Sequence, residues 1–143
     1  MGSYSYAVWI EAPPERVYDL YTDLYRIGEW QEGNPRITDI SGDPGRAGST
    51  YISRRGRFGS RFELMTAERP ASQVVEFDGP MGLRAEMSSQ FAPEEGGTKL
   101  TISLIARWRF PLLGRILELA IFNPRIAKRE LGRLKALAER EER

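Results

Sequence analysis

The chain has 143 residues, 21 Lys plus Arg against 20 Asp plus Glu, a formal charge of +1 and 41% hydrophobic residues. That is the profile of one ordinary globular domain, residues 1–143, burying roughly 70% of its unfolded surface, with no bulk attraction for nucleic acid. Zero Cys and zero His exclude disulfides, thiolate nucleophiles and imidazole chemistry, and remove the usual metal ligands, so any acid or base must be Asp, Glu, Tyr or Lys.

Tyr4, Tyr6, Val8 and Ile10 alternate with Ser5, Ala7, Trp9 and Glu11, which predicts a first strand with Trp9 on its other face. Pro13-Pro14-Glu15 starts a helix, because proline suits the first helical positions and an acidic residue there complements the helix dipole. Val17, Leu20, Tyr21 and Leu24 form its apolar stripe. Asp23 can cap a second short helix running to Trp30, which Gly33-Asn34-Pro35 ends.

A short strand at 37–40 runs into Ser41-Gly42-Asp43-Pro44-Gly45, a dense turn signal. Strands at about 49–55, 60–69, 73–78, 82–92 and 98–109 follow as an antiparallel meander, separated by Gly- and Pro-rich turns. From Pro111 the apolar period becomes helical, and Asn123-Pro124 breaks it into pieces of about 111–122 and 124–141.

Ile10-Glu11-Ala12-Pro13-Pro14-Glu15-Arg16-Val17-Tyr18, then Asp23 and Trp30, Gly97-Thr98-Lys99-Leu100-Thr101, and Leu134-Lys135 with Glu139 make the chain resemble the SRPBCC superfamily. Polyketide cyclases, START lipid-transfer domains and birch-pollen-allergen-type proteins are among its members. The resemblance implies an α+β helix-grip fold. In it a curved antiparallel sheet of six or seven strands wraps a long C-terminal helix, with two short helices after the first strand and a hydrophobic cavity between sheet and helix. Binders, transfer proteins and enzymes share that fold, so function must come from the site.

Leu83, Ala85, Met87, Ser89 and Phe91 share one face of their strand, and Leu100, Ile102, Leu104, Ala106 and Trp108 one face of the next. A tight turn at Glu94–Gly97 then pairs Phe91 with Leu100, Ser89 with Ile102, Met87 with Leu104 and Ala85 with Ala106. The small Ala85–Ala106 pair leaves space that either a ligand or a bulky helix residue, Phe122 or Ile126, must fill. Met65, Met81 and Met87 suit an adaptable pocket as well as plain core packing. Phe77 could line one end, Trp30 could gate the cavity or pack the short helices, and Ile116 with Phe122 could face it from the helical side. The strand at 60–69 carries apolar residues on both faces, so Phe62 and Leu64 compete with Met65 and Ala67 for the interior.

The run Arg54, Arg55, Arg57, Arg61 is split by strand alternation between two faces and reads as surface, although one inward guanidinium could hold a carboxylate or enolate. The resemblance implies that interior Tyr and Arg groups can fold and cyclise a polyketide, with Tyr21, Tyr51 and Arg54 as counterparts. Glu63 would enter general-acid range if buried, whereas Glu86 falls on the outward face with Arg84 and Arg107. The expectation is a cavity that binds a hydrophobic small molecule such as a lipid or polyketide, without metal or cofactor. The alternatives are a cyclase or dehydratase using Tyr51, Arg54 or Glu63, and a protein-interaction module using helix 111–122.

That helix is apolar nearly all round, more than one buried face requires, and a homodimer contact or a cavity lid is preferred over membrane contact. It contains Arg115 and Glu118 and is shorter than the ~20 apolar residues of a span, so no stable membrane insertion is expected. The first residues lack the basic and apolar segments of a secretory leader, and Arg outnumbers Lys 18 to 3. A cytoplasmic, bacterial protein is the expectation.

Overall fold

The computed structural model describes residues 2–79, 82–121 and 123–142; the side chains of 117–121, together with Met81 and Phe122, lie outside the described residues. Strand β1 (Gly2–Ile10) leads to helix α1 (Pro14–Thr22), and strands β2 (Arg36–Ser41), β3 (Thr50–Arg55), β4 (Phe58–Glu68), β5 (Ser72–Asp78), β6 (Arg84–Glu94) and β7 (Gly97–Arg107) follow. Helices α2 (Pro111–Ile121) and α3 (Pro124–Glu141) complete the chain. The strands form one antiparallel sheet in the order β1-β7-β6-β5-β4-β3-β2.

The expected β6–β7 register holds: Phe91 pairs with Leu100, Ser89 with Ile102, Met87 with Leu104 and Ala85 with Ala106. Glu94 pairs with Gly97 across a two-residue turn in which Glu95 and Gly96 both have positive φ. That is the hairpin turn whose twist matches its strands, and it sets the register of everything that follows. β4 resolves its two-faced pattern with a bulge between Leu64 and Thr66. Phe62 and Leu64 point inward before the bulge and Ala67, opposite the buried Gln73, after it, while Met65 is left exposed. The extra residue switches the side-chain parity of the strand.

The second short helix is corrected to a single 3-10 turn, Ile27–Glu29. Asp23 serves the turn ahead of it, since its Oδ1 accepts the Tyr25 N–H at 3.0 Å. Asn123 caps α3 by accepting the Arg125 N–H at 2.9 Å, so Asn123-Pro124 ends one helix and starts the next.

α1 and α3 fill the concave face of the sheet. Leu131, Leu134, Leu137 and Ala138 of α3 pack with Val17, Leu20 and Tyr21 of α1 and with Ile10, Phe91, Leu100 and Ile102 of the sheet. A second cluster joins Leu83, Ala85, Leu104 and Ala106, with Tyr4, Phe77, Met87 and Trp108 against it. Ile126 remains only half-buried, so the firm grip of α3 lies in its C-terminal half. Among the described residues no helix is long and apolar enough to cross a membrane.

Candidate functional site

A cavity of about 70 Å³ lies between α1, the Ile27–Glu29 turn and strands β3 to β6. The strands contribute Tyr51, Phe62, Leu64, Val75 and Met87, which share a face because Tyr51 pairs with Phe62, and Val75 pairs with both Leu64 and Met87. Tyr51 stacks on Phe62 at 5.1 Å and Phe62 on Phe77 at 4.8 Å, an aromatic run across three strands. Tyr21, Leu24, Ile27 and Trp30 form the opposite wall, and Ile40 of β2 with Pro44 and Gly45 of the β2–β3 connection forms the third.

Polar groups reach the cavity through Ser49, Ser53 and Gln73, all buried, but its lining includes no charged side chain. Arg55, on the same face of β3, is exposed and donates to Gln31 Oε1 at 2.8 Å. The site is therefore apolar and aromatic with a few neutral donors and acceptors, the usual composition of a small-molecule pocket.

Its chemistry centres on Tyr21, Tyr51 and Trp30. Ser89 Oγ donates to the Tyr21 hydroxyl at 2.9 Å, and the Tyr21 ring stacks on Trp30 at 5.4 Å. Burial pushes the Tyr21 phenol up to about 12, against a smaller opposing effect of the Ser89 hydrogen bond, and burial likewise raises Tyr51 well above its ordinary value. Both hydroxyls therefore stay protonated through the physiological range and act as hydrogen-bonding groups, not as phenolate bases. Among the described residues Trp30 Nε1 is the buried side-chain polar atom without a hydrogen-bond partner, on a side chain only 4% exposed. A buried N–H left unpaired costs about 1–3 kcal/mol, so a site that retains one has a strong preference for an acceptor.

The Tyr21 shift has a stability consequence. Its folded value lies above the ordinary 10.0, so the native state keeps a proton that the unfolded chain loses first, and this contribution is lost as pH rises from 10 toward 12. Tyr21→Phe is expected to flatten that part of the urea-stability profile against pH. An unchanged alkaline slope would contradict the assignment.

Trp30 is held from α3. Arg133 donates to the Trp30 carbonyl at 3.3 Å and to Glu32 Oε1 at 2.8 Å, Arg129 Nε pairs with Glu32 Oε1 at 2.7 Å, and Glu130 Oε2 accepts the Glu32 N–H at 2.8 Å. Burial raises the Glu130 carboxyl above its ordinary value, with the Glu32 N–H and Arg55 opposing. Exposed ion pairs of this kind add little stability one by one, but together they fix the Trp30–Glu32 segment.

Of the residues expected to contact a ligand, Trp30 and Met87 line this cavity and Ser89 supports it through Tyr21. Ala85, Leu104, Ala106, Trp108 and Phe77 instead belong to the second packed cluster. Leu83, Tyr4 and Trp108 pack around the Ala85–Ala106 pair, and both alanines are buried. Met65 and Ile116 are exposed, and Phe122 lies outside the described residues. Of the three chemical candidates only Tyr51 faces inward. Arg54 lies on the outward face, donating to Thr38 Oγ1 at 3.2 Å with Asp39 at 3.6 Å. Glu63 is outward too, 3.5 Å from Arg61. Ser49, Ser53 and Gln73 were not foreseen; small or polar residues on the inward parity of β3 and β5 were the available signal.

A larger recess of about 260 Å³ opens on the outward face, lined by Arg61, Glu63, Glu76, Asp78, Glu86 and Arg107 among others. Arg84 sits directly opposite Arg107 there, as the pairing predicted. Its charges are of both signs and exposed apart from the half-buried Glu63, so it is a hydrated charge cluster with no buried group awaiting a partner among the described residues.

No curated protein sequence matches the chain. Solved structures do match its fold: protein MLL2253 from Mesorhizobium loti, at 16% identity over 97% of this chain and 98% of that one with a TM-score of 0.75; Ara h 8.0201, at 8% over 96% and 97% with 0.71; and the Aha1 dimer from Colwellia psychrerythraea, at 22% over 97% of each with 0.66. These likenesses carry the helix-grip fold inferred from the sequence. A family model described as polyketide cyclase / dehydrase and lipid transport matches residues 1–139. The chain belongs to that family, within the SRPBCC superfamily.

Proposed function

We propose that the protein binds a neutral hydrophobic small molecule bearing at least one hydrogen-bond acceptor, in the cavity bounded by Tyr21, Trp30, Tyr51 and Val75. The observation that carries this reading is the buried, unpartnered N–H of Trp30, a residue whose side chain belongs to the lining of an uncharged aromatic cavity. An acceptor on the ligand would satisfy that donor, and the aromatic walls would take up its apolar body. A lipid or polyketide of this type is the ligand class the family description supports, with the cytoplasm as its place of action.

The cavity is smaller than the ~300–1,000 Å³ of drug-sized pockets, so a full-sized ligand requires a wall to move. The β2–β3 connection is the wall least held. It is exposed from Gly42 to Gly48, and Gly42, Gly45 and Gly48 all have positive φ. A catalytic reading uses the same cavity: the neutral Tyr21 and Tyr51 hydroxyls would hydrogen-bond a carbonyl or enolate of the bound molecule.

Native mass spectrometry of protein purified gently from its own cells tests the binding reading. The expected result is a small, neutral, organic adduct that Val75→Phe protein lacks. Protein that carries no adduct and fails to take up the neutral fluorescent ketone prodan would overturn it.

A further inference from the structure

Helix α2 is seated by a glycine. Gly114 is buried, and a Cβ at that position would run into the Trp108 ring, so the helix backbone lies directly on the indole. The opposite face is left to solvent. Leu112 is 87% exposed, Ile116 68% and Phe110 54%, with Leu113 also exposed. Four neighbouring large apolar side chains in water form a patch of the kind that marks an interaction surface.

Charge says which partner fits. Residues 107–129 hold six of the chain's 21 Lys and Arg but one of its 20 Asp and Glu, so this segment is strongly cationic while the rest of the chain is net acidic. Arg107, Arg109, Arg115, Arg125 and Lys128 form no ion pair among the described residues. A second copy docked face to face would bring two copies of this cationic segment together, which like-charge repulsion penalises. Nucleic acid would leave the leucines and isoleucine uncovered.

We infer that α2 with its flanking arginines is a peripheral docking surface for an anionic lipid bilayer, with Phe110, Leu112, Leu113 and Ile116 entering the headgroup–acyl boundary and the arginines meeting lipid phosphates. The helix adsorbs in the plane of the interface and does not span it. This surface is separate from the cavity, and its failure would leave the cavity reading standing.

Co-sedimentation of the full chain with vesicles tests it, comparing phosphatidylcholine alone with an equimolar mixture of phosphatidylcholine and phosphatidylglycerol. Binding to the anionic vesicles is expected to be at least tenfold stronger. It should weaken at least as much when ionic strength rises from about 0.1 M to about 1 M, where the screening length falls from ~10 Å to ~3 Å. The doubly substituted Leu112→Glu, Ile116→Glu protein, with circular dichroism confirming its fold, should lose binding, and Arg109→Gln with Arg115→Gln should lose the preference for anionic lipid. Absence of binding at low salt, or binding indifferent to the Leu112→Glu and Ile116→Glu changes, would overturn the inference. So would a concentration-dependent dimer in sedimentation velocity that those changes disperse, since the face would then belong to a second copy.

Discussion

Leu134→Ala is expected to destabilise the protein by about 2–5 kcal/mol, read as a lower urea midpoint at unchanged slope. Leu134 is 0% exposed and stands in the middle of the cluster that joins α3 to α1 and the sheet. Truncation removes its buried methyl groups and leaves a void that Ile10, Leu131 and Leu137 can only partly close, because each is held by its own element. The upper part of the range applies if the gap stays open, the lower part if α3 settles toward β1. A cost below ~1 kcal/mol would mean that α3 does not grip the sheet through this residue.

Val75→Phe is expected to reduce prodan binding at least tenfold while the protein stays folded. Val75 is buried in the central part of the cavity wall, between Leu64 on one neighbouring strand and Met87 on the other. A phenyl ring there points into the void, and its added volume is of the order of the space available. Overpacking elsewhere in a core costs about 1–3 kcal/mol; here the vacant space should keep the cost toward the low end. Unchanged probe affinity in a folded variant would place the binding site elsewhere.

The sequence carried much of the fold because its signals were local. The β6–β7 register follows from a two-residue turn with Glu95 and Gly96 at positive φ, and the α2–α3 break follows from Asn123-Pro124. What it could not carry depends on packing between distant elements. The Ala85–Ala106 pair does stand face to face, yet whether two small residues make a cavity depends on how Leu83 and Trp108, at the ends of their own strands, and Tyr4 of β1 pack around them. The parity of β4 hinged on one bulged residue near Met65, which no alternation pattern reveals. That bulge lets Ala67 share the inward face with Phe62 and Leu64.

The site was legible in part for the same reason. Trp30 and Met87 stand out by type and position, but Tyr21 is legible only as part of the apolar stripe of α1 and as a family counterpart, and its partner Ser89 is 68 residues away. Arg54 and Glu63 drew attention by charge, and strand parity turned both outward. The alternation that puts Tyr51 inside turns Arg54 and Glu63 outward, and Arg55, on the Tyr51 face, stays exposed at the end of β3, so the cavity lining is neutral.

The central claim, that the cavity holds a neutral ligand through the Trp30 N–H, is tested most directly by the indole N–H resonance of Trp30. It can be assigned with Trp30→Phe and followed by nuclear magnetic resonance during titration with acetophenone, ethylbenzene and benzoate. Acetophenone should shift that resonance downfield with saturable one-to-one binding, ethylbenzene should bind more weakly with little indole shift, and benzoate should leave it unmoved. A Trp30 resonance that ignores acetophenone, or that responds most strongly to benzoate, would contradict the account.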